Sequence, residues 1–173
     1  MSDMHVIRLR GPWEYEPLAR TTIAADGTRH ERTDDLPPVG RVHLPADWGA
    51  TLGQEFRGRV RYTRRFGLPT NLEPDEEVWL LIDGVDYFGV VSLNGQRLGE
   101  IVGYRSPREF DVRRLLAERN VLTLEVELPL VEAGAGRAVK FDRPGREKLP
   151  GGPIGEVRLE IRERSIPSPR TSM

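Results

Sequence analysis

The chain has 173 residues, 38% hydrophobic and 31% charged, with 26 basic side chains against 27 acidic ones. That length supports a hydrophobic core without disulfide staples, and so even a charge balance argues against a dedicated nucleic-acid binder, which needs a surplus of Lys and Arg. Cysteine is absent, which removes disulfides, thiolate nucleophiles and cysteine-based zinc sites together. No stretch approaches the roughly 20 apolar residues of a membrane-spanning helix. The opening Met1-Ser2-Asp3-Met4-His5 lacks the charged-then-apolar pattern of a secretory leader. A soluble, cytoplasmic protein with neither a membrane nor a nucleic-acid partner is expected. Only Lys140 and Lys148 among the basic residues are lysines. The arginines are scattered through every segment, a compositional bias rather than a patch.

Along the chain, helical periodicity is scarce and period-two alternation recurs between Gly, Pro, Asp-Gly and Asn-Gly breaks, the pattern of an antiparallel all-β protein. Residues 21–25 and 28–33 flank Asp26-Gly27 and predict a first hairpin. In 60–66, Val60, Tyr62, Arg64 and Phe66 alternate with Arg61, Thr63 and Arg65. The unbroken apolar run 78–82 predicts a strand covered on both faces, with Trp79 buried. Residues 87–93 and 96–102 enclose Asn94-Gly95, whose two residues tolerate positive φ and predict a tight hairpin. The segment 111–116 is the one helical reading: Asp111 is a candidate N-cap, and Val112, Leu115 and Leu116 fall at i, i+3, i+4. In 120–128, Leu122, Leu124, Val126 and Leu128 face one way while Thr123, Glu125 and Glu127 face solvent. Residues 132–155, rich in Gly, Pro and charge, predict a long surface loop. Residues 157–162 give a last strand, and 165–173 a disordered tail. Nine or ten short strands predict one sandwich over residues 1–164, a jelly roll of two antiparallel sheets.

Several segments follow one another in a telling order: Leu44-Pro45-Ala46-Asp47-Trp48, Tyr62-Thr63-Arg64-Arg65-Phe66, Asp83-Gly84-Val85-Asp86-Tyr87, Val91-Ser92-Leu93-Asn94-Gly95-Gln96-Arg97-Leu98-Gly99, Ser106-Pro107-Arg108-Glu109-Phe110-Asp111-Val112 and Gly152-Pro153-Ile154-Gly155-Glu156-Val157. This succession, across about residues 13–161, resembles the N-terminal sugar-binding domain of family 2 glycoside hydrolases, the β-galactosidase, β-glucuronidase and β-mannosidase family. The resemblance implies a galactose-binding-like jelly roll. It also implies a carbohydrate-binding module of glycoside hydrolysis that is non-catalytic by itself, since the family's catalytic glutamates lie in a later barrel of about 250 residues. In β-galactosidases of the family the Asn of the Asn-Gly hairpin contacts substrate, a role that would carry over to Asn94. A second contact there is an Asp shortly before a Trp-Arg-x-x-Gly segment. The stretch Arg146-Glu147-Lys148-Leu149-Pro150-Gly151-Gly152 has neither that Asp nor that Trp.

The residues themselves offer further candidates. Sugars are held by aromatic faces together with amides, carboxylates and Arg forks, and Tyr104 and Arg105 sit in a loop following the second hairpin strand. Asn94, Tyr104 and Arg105 are therefore the candidate carbohydrate site, provided the strand after Asn94 ends near Gly99 and the chain bends back. Trp13 and Trp48 read as lids on the ends of the sandwich. Hydrolysis needs two carboxylates about 5 to 9.5 Å apart flanking the bond; Glu76 and Glu77 are adjacent, and Glu125 and Glu127 share an open strand face. His5, His30 and His43 share no metal-ligand spacing, and Asp34-Asp35 alone do not make a calcium cage. No cofactor or metal is expected. The expected partners are a glycan or a separate glycosidase subunit, and the alternative function is a structural or docking sandwich without sugar binding.

Overall fold

A computed structural model describes residues 4–104, 106–135, 139, 141 and 144–164. Arg105 and the predicted tail 165–173 lie outside the described residues. The strands are β1 (His5–Arg8), β2 (Trp13–Ile23), β3 (Arg29–Arg32), β4 (Gly40–Val42), β5 (Gly58–Gly67) and β6 (Glu76–Ile82). They continue with β7 (Phe88–Leu93), β8 (Gln96–Val102), β9 (Arg108–Asp111), β10 (Arg119–Leu128), β11 (Leu130–Val131) and β12 (Val157–Glu163). The smaller sheet runs β1-β12-β6-β9; the larger runs β11-β2-β5-β10-β7-β8, with β3 and β4 also paired to β2. Every pairing is antiparallel except β11 on β2. The chain is an all-β sandwich of two sheets.

The core is what the alternation predicts. Val60, Tyr62, Val91, Leu93, Leu122, Leu124, Val126 and Leu128 point inward from the larger sheet, against Val78, Leu80, Ile82, Val157, Leu159 and Ile161 of the smaller one. Trp13 and Trp48 are fully buried, their indole N–H groups donating to the Leu9 carbonyl at 2.7 Å and the Phe56 carbonyl at 3.2 Å. Trp79 is a correction: it lies half-buried on the outer face of the smaller sheet, under the Arg162 guanidinium at 5.1 Å from its ring. Its N–H donates to Glu77 at 2.8 Å. An apolar run reads as covered on both faces, yet here the long Arg162 side chain supplies part of the cover. The predicted helix at 111–116 is a turn closed by Leu115 N–H on the Val112 carbonyl at 2.9 Å. Short helical turns sit instead at Gly49–Leu52 (α1) and Arg146–Lys148.

β2 changes face midway. Tyr15 pairs with Tyr62 and Pro17 with Val60, but after a bulge Ala19 pairs with the outward Arg59. Pro17 is tolerated there because a bulge leaves the ladder locally unpaired. Beyond it Ala19, Thr21 and Ile23 lie on the outer face, and Ile23 joins Ala135 and Val139 in a second apolar cluster bordered by Tyr87, Val131 and Phe141. This corrects the reading of 132–155 as a surface loop: Ala135, Val139, Arg146 and Pro150 through Pro153 are buried.

The rest of that outer face is a lattice of ion pairs. Arg29 binds Glu127 with both nitrogens and reaches Glu31 at 3.0 Å. Arg59 bridges Glu31 at 3.3 Å and Glu125 at 2.9 Å, Arg61 reaches Glu16 at 3.7 Å, and Arg65 reaches Glu14 at 3.1 Å. Glu125 and Glu127 thus face outward as expected, but they are covered by arginines rather than freely solvated. At the opposite edge, Arg108 donates to the Glu100 carbonyl at 2.7 Å and so blunts β8 as an open template for further pairing.

Two predictions follow from this packing. Leu124→Ala should cost about 2 to 5 kcal/mol in urea melts, as buried Leu truncations do, whereas Glu127→Ala should cost about 1 kcal/mol and lose most of that effect in 1 M salt. Glu160 is nearly buried; burial alone raises its pKa, but hydrogen bonds from Arg162 and Arg158 outweigh this and hold it below the ordinary 4.5. A carboxyl lowered in the folded state stabilises above its unfolded pKa, and that stabilisation disappears as pH falls through the folded value. Glu160→Gln should therefore flatten the loss of stability as pH falls below the ordinary 4.5, measured by urea melts across pH.

Candidate functional site

Three passes of backbone meet at one end of the sandwich, and glycine makes their approach possible. A Cβ on Gly84 would lie 2.5 Å from Tyr104 Cα, and one on Gly155 would lie 2.2 Å from the Gly84 nitrogen. The Val85 N–H donates to the Gly103 carbonyl at 3.0 Å, the Gly103 N–H to Tyr87 at 2.8 Å, and the Gly155 N–H to Gly84 at 3.0 Å. Asp86 and Gly152 exchange both backbone hydrogen bonds at 2.9 Å. The loop 83–87, the start of the loop after β8 and the segment 150–156 are thereby a single backbone knot.

Charge fastens this knot from inside. Arg146 is fully buried, with its Nε 2.9 Å from Asp86 Oδ1. Its two terminal nitrogens donate to the Leu149 and Pro150 carbonyls, each at 2.8 Å. Trp48 lies over Gly151, where any Cβ would fall 2.6 Å from the indole, and the Trp48 backbone N–H donates to the Gly151 carbonyl at 2.8 Å. Tyr87 packs edge-on to Phe141 at 5.3 Å. Burial, then the Glu127 charge, push the Tyr87 phenol pKa upward.

The structure separates Asn94 from Tyr104. Tyr104 sits at the knot, half-buried, its backbone pressed on Gly84. Arg105 lies outside the described residues. Asn94 stands at the far tip of the β7–β8 hairpin, in the left-handed region at φ 52° beside Gly95 at 81°. The bend near Gly99 that would bring Asn94 back to Tyr104 does not occur. β8 runs unbroken from Gln96 to Val102 against β7, with one bulge, which puts the two residues roughly 23 Å apart. The Asn94 amide is also engaged locally: its Oδ1 accepts from Val121 N–H at 2.8 Å, and its Nδ2 donates to Leu115 O at 2.9 Å and Asn120 Oδ1 at 3.0 Å. Asn94 pins the hairpin tip to β10 and the 112–116 turn.

Sequence reasoning missed the Asp86–Arg146 pair. Its one signal was positional, since Asp86 belongs to the Asp83-Gly84-Val85-Asp86-Tyr87 segment and Arg146 to the stretch preceding Gly151-Gly152. Among the described residues no group of three or more His, Asp or Glu side chains is placed to hold a metal ion, and no helix is long and apolar enough to cross a membrane.

The all-β, two-sheet architecture is that of a galactose-binding-like sandwich. The family model described as the glycosyl hydrolase 2 galactose-binding domain-like family matches residues 47–163, and the chain belongs to that family. Among solved structures, it is similar to a β-glucuronidase of Bifidobacterium dentium, at 25% identity and a TM-score of 0.66, over 92% of this chain and 30% of that one. A Faecalibacterium prausnitzii β-glucuronidase matches at 23% identity and a TM-score of 0.66, over 92% of this chain and 32% of its own. A β-galacturonidase from Eisenbergiella tayi matches at 18% identity and a TM-score of 0.62, over 91% and 24%. The chain therefore spans no more than about a third of these proteins. No curated protein matches it.

The buried pair gives a direct test of the knot. Asp86→Ala should cost about 3 to 5 kcal/mol, because it leaves the Arg146 charge buried and uncompensated. The double variant Asp86→Leu, Arg146→Met should cost less than the sum of the two single changes, measured by urea unfolding as a double-mutant cycle.

Proposed function

We propose that the chain serves glycoside hydrolysis as a non-catalytic carbohydrate-binding sandwich that takes its ligand at the knotted end, around Tyr104 and the adjoining Arg105. The observation that carries the reading is family membership joined to coverage. Nearly the whole chain aligns with less than a third of a β-glucuronidase at 25% identity, so the shared part is one accessory domain's worth of that enzyme. The chemistry of this chain agrees. Hydrolysis needs two carboxylates facing each other across a sugar ring, whereas Glu125 and Glu127 lie in arginine pairs on an open sheet face and Glu77 is bound to Trp79.

A second reading is docking onto a glycosidase without sugar binding. The locally bonded amide of Asn94 favours it, because both donors and one acceptor site of the substrate-contacting residue that the resemblance supplied hold its own hairpin.

Titration of isotopically labelled protein with methyl β-glucuronide, β-galacturonide, β-galactoside and β-mannoside separates the two readings. Binding in the millimolar range, about -4 kcal/mol, is expected for one sugar with few buried atoms. Amide shifts should centre on residues 84–87 and 103–104 and vanish in a Tyr104→Ala, Arg105→Ala variant. Asn94→Ala should leave affinity unchanged while costing about 1 to 3 kcal/mol of stability through the unpaired groups it exposes. Absence of shifts with every sugar would favour docking. Turnover of aryl β-glycosides by the pure chain, removed by one Glu→Gln change, would overturn the non-catalytic assignment.

A further inference from the structure

Past its bulge, β2 presents Arg20 and Thr22 on the face opposite Ala19, Thr21 and Ile23. There they line a cleft of about 290 Å³ together with His30, Arg32, Glu55, Arg57 and Leu130. Arg20 and Arg32 are directly opposite each other in the β2–β3 register, with Thr22 opposite His30 in the next pair of the same face. Like charges placed directly opposite across an antiparallel pair destabilise a sheet. Elsewhere the sandwich answers its arginines with carboxylates: Arg29, Arg59, Arg61 and Arg65 on the other face each meet one, and Arg8 and Arg158, opposite each other in the β1–β12 register, both reach Glu156.

The cleft arginines are held differently. Arg20 donates through Nε and a terminal nitrogen to the Asp35 carbonyl at 3.3 and 3.0 Å, and lies 5.3 Å from the Phe56 ring centroid. Arg57 donates to the backbone carbonyls of Gln54 at 2.9 Å, Phe56 at 2.8 Å and Glu147 at 2.7 Å. Among the described residues neither guanidinium forms an ion pair. Arg32 reaches Asp34 at 3.3 Å, but both groups are largely exposed, so solvent screens the pair. Glu55 is the one acid lining the cleft. Backbone carbonyls fix the direction of a guanidinium without cancelling its charge. Three cations around a concave surface then focus a positive field into it.

We propose that this cleft is an anion-binding site, distinct from the knotted end, for a small molecule bearing a carboxylate or phosphate group. Arg20 and Arg32 supply the guanidinium donors that Asp35 and Asp34 leave over, Thr22 and His30 supply further polar contacts, and the exposed Leu130 gives the body of the ligand an apolar wall. Burial, then the nearby Arg146 charge, push the Arg57 pKa downward against the opposing pull of Glu55.

The test compares inorganic phosphate, acetate and chloride at matched ionic strength. Thermal melts of the intact chain should rise by about 3 to 6 °C at ten times Kd for the anion that binds, relative to chloride. A response to acetate alone assigns a carboxylate, and a response to phosphate alone or to both assigns a general oxyanion site; each sustains the proposal. The Arg20→Gln, Arg32→Gln variant should lose this rise. In chloride Arg32→Gln alone should melt no lower than the parent, because a repulsion has been removed. Titration of the unmutated, labelled protein gives a readout independent of variant folding, with shifts expected at Thr22, His30, Arg32 and Leu130. No rise and no shifts with either anion, or an equal rise in the double variant, overturns the proposal.

Discussion

The salt bridge between Asp86 and Arg146 is the interaction on which the loop end depends. Both charges are out of water, so neither tolerates loss of the other. Their placement also decides where backbone goes: Asp86 belongs to the crossing from the smaller to the larger sheet, and Arg146 hands its remaining donors to the carbonyls leading into Gly151-Gly152. Two segments 60 residues apart are thereby held in register, and Trp48 closes over them. A loop tied at both ends by backbone pairing and inside by charge loses little further entropy when something binds to it.

Most of the frame was legible because its signals are local. Leu122 through Leu128 declared their inward face by strict alternation, and Asn94-Gly95 declared a hairpin by the backbone geometry that only such residues accept readily. Short edge elements were not legible: β1, β4, β9 and β11 have two to four residues each, too few for a period to register. Trp79 misled because an aromatic residue in an apolar run gives no hint that an arginine from another strand will lie over it.

The segment 132–155 shows the deeper limit. Its Gly, Pro and charged residues carry the usual marks of a solvated loop, yet Arg146 and Pro150 through Pro153 are buried. Composition reports what a residue prefers, whereas Arg146 and its neighbouring glycines are buried by their partners: Asp86 neutralises the arginine, and Trp48 and the loop 83–87 accept the glycines at backbone distance. The local role of Asn94 was hidden for a related reason. An amide at a turn gives no hint in the sequence of the partners it finds in Val121, Leu115 and Asn120.

The bulge in β2 gives the strand two grammars. Before it, odd-numbered residues face the main core; after it, odd-numbered residues face the other way, where Ile23 joins the second cluster. Removing a single residue there would restore regular pairing and transpose the contents of the two faces downstream, sending Arg20 and Thr22 under the covering segment and Ile23 into the cationic cleft. The length of this stretch is therefore under a constraint that its amino-acid identities do not reveal. Homologues should vary the side chains at residues 17–19 far more freely than they vary their number.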